Sequence, residues 1–379
     1  MRLWRLCLAG LVYDWLVFVA WTLIPIRAEG MGASPTQLGL LQGASTIAYV
    51  AGCLLVGRMA DRGHSRLFVL IGCLGAAVAC HWVGTAPTVT LLIGAVAVMG
   101  LANSLFWPSA QGTIGAETEP GRLDRAIGLF NVMWSAGKGL GYLMAGWMTR
   151  SLGDTQVMWV AGASALPILA FYPWRKGVRA NGGAAPLARP EGAVFRSMAW
   201  AANFIGYGAL NTFQNQYYKY LLGAGQGDEK WAKPFFGLFL GVLIAAQTVV
   251  FILMQRNSVW AYRRRLLYAV QVLMAAATLA IPFVRGELPL LVLAPLVGIG
   301  AGFVNGSSIY YSLHGPADHS KFAGLHEAIL SAGAFAVPMA GGLLADAAGD
   351  LRMPYLLSGT ATLLAILLQE ALYRSRPRS

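Results

Sequence analysis

About twelve runs of roughly 20 mostly apolar residues follow one another along this chain, and no other feature limits its fold as much. They lie near 6–26, 36–57, 67–86, 88–112, 124–149 and 155–173, then near 197–222, 233–255, 265–284, 288–313, 321–345 and 353–373. A helix of that length crosses a hydrocarbon layer of ~30 Å. Inside that layer each backbone N–H and C=O must bond within the protein, which favours helices throughout. Composition agrees: 57% of residues are hydrophobic and 12% charged, against about a quarter charged in soluble domains. The expectation is an all-α integral membrane protein of about twelve transmembrane helices, with the lipid bilayer as its first partner.

The formal net charge of +12 sits in the short segments between apolar runs. It therefore reads as a topology signal, not as a nucleic-acid surface. With the N-terminus inside, Lys and Arg favour the inner segments over the outer ones by close to three to one. Both termini are then cytoplasmic in a multi-pass cell-membrane protein. Arg2 and Arg5 precede the first run as in a signal peptide, but the run is long and contains Asp14, so it is expected to be a retained span. Cys7, Cys53, Cys73 and Cys80 lack ligand or CxxC spacing. No metal site, disulfide framework or cofactor is expected.

The long polar stretch from Trp174 to Glu191, rich in Gly, Ala, Pro and Arg, reads as a flexible linker. It divides a six-helix bundle at 1–173 from a second at 197–379, with 174–196 between them. The halves repeat. RAIGLFNVMWSAG (Arg125–Gly137) aligns with KFAGLHEAILSAG (Lys321–Gly333), and GLLQG (Gly39–Gly43) with GLFLG (Gly237–Gly241) at a similar offset. The fifth run thus corresponds to the eleventh and the second to the eighth. Such duplication marks many secondary transporters.

Between the second and third runs stands GRMADRGHSR, Gly57–Arg66. It resembles the cytoplasmic loop signature of the major facilitator superfamily (MFS) at Gly57, Asp61, Arg62 and Arg66. His64 stands where a second glycine is usual. FWPSAQ (Phe106–Gln111) is similar to the end of that superfamily's fourth span. The glycine-rich fifth run resembles its antiporter motif, with Tyr142 in place of the usual proline after Gly141. The resemblance implies two six-helix bundles around a central cavity, with runs 3, 6, 9 and 12 outside. It also implies a gating loop in which Asp61 meets the positive N-terminal end of a helix in the other half, near Lys321.

Polar residues at helical spacing point to the same inner helices independently. Run 5 carries Asn131, Ser135, Lys138 and Tyr142 on one face. Run 7 carries Asn203, Tyr207, Asn211, Gln214 and Tyr218. Run 4 offers Asn103, Trp107 and Gln111, run 2 Gln42, Ser45 and Tyr49, and run 10 Asn305 and Ser308 near Tyr310. Run 1 has Asp14 with Phe18 and Trp21, and run 11 has His326, Glu327 and Ser331. A single amide in a span is usually a helix–helix hydrogen bond of about 0.6 kcal/mol. The stripes together predict a wet route. Lys138 in WSAGKGLG is no phosphate loop, because Val132 and Gly139 occupy the places that need Gly and Ser or Thr.

Burying a charge in a span costs at least ~2.5–3.5 kcal/mol, so Asp14, Lys138 and Glu327 each need a reason. Asp14 and Lys138 can pair. Glu327, with neighbouring His326 and with Asp14, is a candidate for proton coupling. The reading is a monomeric secondary transporter of a small solute, working by alternating access and coupled to an ion gradient such as protons. The alternatives are a membrane-embedded enzyme and a transporter-like sensor or scaffold. No HExxH or metal set supports the enzyme, and His314, Asp318 and His319 read as turn chemistry.

Overall fold

A computed structural model describes residues 2–59, 65–118, 123–173, 191–313 and 319–375. Among these, thirteen α-helices and one 3-10 turn are present and no strand. The first half holds α1 (Arg2–Gly30), α2 (Pro35–Met59), α3 (Ser65–Thr85), α4 (Val89–Glu117), α5 (Leu123–Leu152), α6 (Asp154–Ala163) and α7 (Ala165–Phe171). The second holds α8 (Gly192–Gly223), α9 (Glu229–Arg256), α10 (Arg264–Ala280) with the 3-10 turn Ile281–Phe283, α11 (Glu287–Leu313), α12 (His319–Ala348) and α13 (Met353–Arg374). The twelve spans are these helices, with α6 and α7 together forming the sixth. Residues 174–190 of the linker predicted at 174–196, and Asp61 and Arg62 of the loop motif, lie outside the described residues. Gly57 is helical at the end of α2, and Arg66 Nε donates to the Pro173 carbonyl (3.1 Å).

Two details differ from the sequence reading. The seventh span begins at Gly192, ahead of the expected 197. The sixth breaks at Ser164, whose Oγ bonds back to the Ala161 carbonyl (2.7 Å). Pro167 explains the break, because it brings no N–H and its ring crowds the carbonyl of Ala163.

Among the described residues, eight helices are long and apolar enough to cross a membrane alone. They are α1, α3, α4, α9, α10 with its 3-10 extension, α11, α12 and α13. The longer helices outside that set, α2, α5 and α8, carry polar stripes. Large apolar side chains such as Trp147, Val78, Leu288 and Leu367 are exposed on the outside of the bundle, where lipid would cover them.

The internal repeat of the sequence recurs in the packing. A Cβ on Gly137 would strike the Leu11 carbonyl where α5 crosses α1, and one on Gly333 would strike the Phe204 carbonyl where α12 crosses α8. Gly100 meets the Ser45 carbonyl (α4 on α2) as Gly298 meets the Leu243 carbonyl (α11 on α9). Gly162 meets the Ala77 carbonyl (α6 on α3) as Gly359 meets the Ala275 carbonyl (α13 on α10). Each bare Cα lets two backbones approach closely, which is how small residues drive helix association in lipid. The halves join along two equivalent seams, α5 with α9 and α2 with α12. Gly146 approaches Lys233 and Pro234 in the first, and Gly342 approaches Pro35 in the second.

Replacing Gly137 by Val should therefore cost about 1–3 kcal/mol by overpacking. The apparent melting temperature of the purified protein should fall by several degrees. Gly112→Ala, where a Cβ meets nothing within 4 Å, should leave it unchanged.

Candidate functional site

A cavity of about 210 Å³ lies between the halves, lined from α1, α2, α4, α5, α8, α11 and α12. Among the described residues, none of α3, α6, α7, α9, α10 or α13 reaches it. Call the end where α1 begins and α13 ends the terminal face, and its opposite the far face. The cavity extends towards the terminal face, where Gln111 of its lining is exposed.

Towards the far face it is sealed by polar side chains from both halves. Tyr142 Oη of α5 donates to Gln214 Oε1 of α8. Gln42 Oε1 of α2 accepts from Gln214 Nε2 (3.4 Å) and Asn215 Nδ2 (3.3 Å). Beyond this layer lie ionic contacts. Lys219 Nζ holds Glu29 (2.8 Å) and Lys233 Nζ holds Asp154 (3.1 Å). Asp346 Oδ2 accepts from Ser34 Oγ (3.0 Å) and from the Thr36 N–H (2.9 Å). Every one of these bonds joins the two halves.

At the terminal face the seams differ. On the α5–α9 seam, Gln255 Nε2 donates to the Gly128 carbonyl (2.8 Å), and Ser135 bonds Thr248 (2.7 Å). Gly324 is the repeat equivalent of Gly128, but a Cβ there meets nothing within 4 Å among the described residues. The α2–α12 seam is in contact at Gly39 and Gly43, against Met339 and Phe335.

Three lining residues are Asp, Glu or Lys. Asp14 and Lys138 are buried, 3% and 1% exposed, and lie within electrostatic range of each other. The Lys138 ammonium stands over the Phe18 ring, 4.3 Å from its centroid, and 5.5 Å from that of Tyr207 across the cavity. Such cation–π contacts partly replace hydration. Glu327 faces Tyr49 and Tyr207 and has no cationic partner among the described residues. His326 turns towards α11, its Nδ1 2.8 Å from Ser308 Oγ. The walls are aromatic: Trp107 packs edge-on to Trp134 (6.5 Å) and to Phe130 (5.6 Å). Asn103 is fixed by the Tyr13 hydroxyl (3.0 Å), and Asn131 accepts from Trp134 Nε1 (3.0 Å).

The cavity gathers Asp14, Trp21, Gln42, Asn103, Trp107, Asn131, Lys138, Tyr207, Asn211, Gln214, Asn305, His326, Glu327 and Ser331. Three residues expected there lie elsewhere. Tyr142 belongs to the far-face seal. Asn203 is fully buried, and neither of its amide atoms has a partner among the described residues. Steps of four along α8 drift about 40° each, so by Asn203 the stripe has turned away from the cavity. Tyr310 packs on Trp260 (4.9 Å), about 100° round the helix from lining residue Ile309. Sequence reasoning missed Trp134, Thr46, Val17, Ile309, Leu330 and Ala334. Trp134 and Thr46 sit one turn from Lys138 and Gln42, a usable signal. The apolar four carry none.

A sequence profile described as Major Facilitator Superfamily matches residues 6–313. The chain belongs to that superfamily. Among similar curated proteins are the tetracenomycin C resistance and export protein of Streptomyces glaucescens, 26% identical over 36% of this chain and 25% of that protein, and the puromycin resistance protein pur8 of Streptomyces alboniger, 30% identical over 38% and 29%. The multidrug efflux pump LfrA of Mycolicibacterium smegmatis is 28% identical over 40% and 30%. The matches thus span under a third of those relatives' lengths. Solved structures with the same fold include a bacterial homolog of the human lysosomal transporter Spinster in an inward-facing, occupied conformation, with a TM-score of 0.73 at 16% identity over 98% of this chain and 95% of that one. The nucleoside transporter NupG gives 0.73 at 15% over 99% and 100%.

Removing one partner of the buried pair should be more damaging than removing both. Asp14→Ala leaves Lys138 without the nearby carboxyl and should destabilise the protein, by no more than the ~3–5 kcal/mol of a broken buried ion pair. The double change Asp14→Asn with Lys138→Met should recover most of that loss, read as resistance to unfolding in mixed detergent.

Proposed function

We propose that the protein is a secondary active transporter that binds a small organic solute between its halves and exposes it alternately to the two membrane faces. The observation that carries this is a lined cavity between the halves, open towards one face and closed from the other by bonds that all cross between the halves. Breaking those bonds and closing the opposite end would reverse the access. The two bundles are residues 1–173 and 197–379, joined by a linker at 174–196. The terminal face is cytoplasmic, as the excess of Lys and Arg in its segments supports. The chain works as a monomer in the cell membrane.

The solute is amphipathic. Tryptophan and tyrosine faces take its apolar part, while Asn103, Asn131, Asn211 and Asn305 offer hydrogen bonds. Three relatives carry names of resistance, export or efflux, which supports an outward direction. Glu327 is the unbalanced charge of the cavity, and it is the site where a proton couples to the solute.

Reconstituted protein should move some member of a broad panel of amphipathic solutes into or out of liposomes, faster with an imposed pH gradient than without. No transport across the panel in a folded preparation would sink the reading. Glu327→Gln should keep solute binding within about threefold yet abolish the response to the gradient. A variant that transports like the parent with the same pH dependence would remove Glu327 from coupling.

A further inference from the structure

A second cavity, of about 460 Å³, opens at the far face between the end of α8, the 3-10 turn Ile281–Phe283 and the turn joining α12 to α13. It has no part in the solute route. Two guanidinium groups, Arg285 and Arg352, line it, and both lie within electrostatic range of the Tyr220 phenol on its wall. Its one acid, Asp350, is already gripped by Arg352 through both Nε (3.0 Å) and Nη2 (2.8 Å). Those bonds hold the Asp350 carboxyl below its usual range, so it is ionised at neutral pH. The lining therefore carries one positive charge in excess.

Three other cations of this face are engaged. Lys219 and Lys233 hold carboxylates, and Arg27 Nη2 donates to the Ala86 carbonyl (3.1 Å). Arg285 has neither a hydrogen bond nor an ion pair among the described residues, although it faces a cavity that Arg352 also faces. A planar guanidinium with free donors matches the oxygens of a phosphate, and a second one across the cavity adds to the attraction. Phe283 lines the same cavity and is 62% exposed, which gives an apolar seat beside the charged one.

We propose that this far-face cavity binds a phosphate group, with Arg285 as the principal ligand and Arg352 as the second. The group is that of an anionic lipid headgroup or of a free phosphate.

The full chain in neutral detergent can be titrated with inorganic phosphate and, separately, with dihexanoyl phosphatidylglycerol, at ionic strength fixed by sodium chloride, while its melting temperature is followed. A saturable rise is expected. If phosphatidylglycerol alone produces it, the source is lipid, and if both do, the phosphate group suffices. Arg285→Gln should raise the half-saturating concentration about 10-fold or more, the loss of one charge-assisted contact. Lys230→Gln, which removes another exposed cation of the same face, should respond like the parent. No saturable response to either probe overturns the proposal. So does an Arg285→Gln response equal to the parent's, or an equal loss in Lys230→Gln.

Discussion

Backbone against backbone, at glycines, is the contact on which the rest of this molecule depends. In lipid there is no hydrophobic gain in bringing one apolar helix to another, so close packing must hold the bundle. Gly137 on Leu11 and Gly333 on Phe204 do so at the same place in each half, as do Gly100 on Ser45 and Gly298 on Leu243. Because the crossings are the same twice over, the two bundles have the same internal frame. Two equal frames meeting face to face leave a central gap, and the helices that border it are α1, α2, α4, α5, α8, α11 and α12.

The seams between the frames are equivalent by position but not by state. Gly128 lies against Gln255, and its counterpart Gly324 has no such neighbour among the described residues. The far-face contacts are hydrogen bonds and part-exposed ion pairs, with Lys219 and Glu29 about one-fifth exposed. An exposed ion pair is worth ~0.2–1 kcal/mol. A handful of these holds a state without fixing it permanently. The crossings within each half rest instead on buried backbone contact, so the alternating access proposed above asks only the seams between the halves to open and close.

Much of this was legible in the sequence, for definite reasons. Apolar runs of bilayer length mark the spans, and the duplication shows in GLLQG with GLFLG and in the paired SAG motifs. The inner helices were identifiable because an amide or charge in lipid must turn inward. That logic located Asp14, Lys138, Asn211 and Glu327 at the cavity. It failed where polarity had another use. Asn203 is polar and buried but faces helices, and Tyr142 serves the seal. Apolar lining such as Leu330 and Ala334 looks like any packing residue until neighbouring helices are in place. The unequal seams were beyond reach altogether, because equivalent glycines carry no record of which one is in contact.

The charges of the cavity fit together with its shape. Lys138 in the first half is balanced by Asp14 and shielded by the Phe18 and Tyr207 rings. Tyr207 belongs to the second half, so this shielding exists only while the halves are near each other at mid-depth. Glu327 faces the same tyrosine from α12, with no cation beside it among the described residues. One ring thus stands between the compensated pair and the uncompensated acid. A movement of the halves that draws Tyr207 from Lys138 changes what surrounds both, and a cation or proton reaching Glu327 removes the charge that the aromatic wall leaves unpaired. The coupling proposed above then needs no long relay: the two charge sites share a single side chain across the gap between the halves.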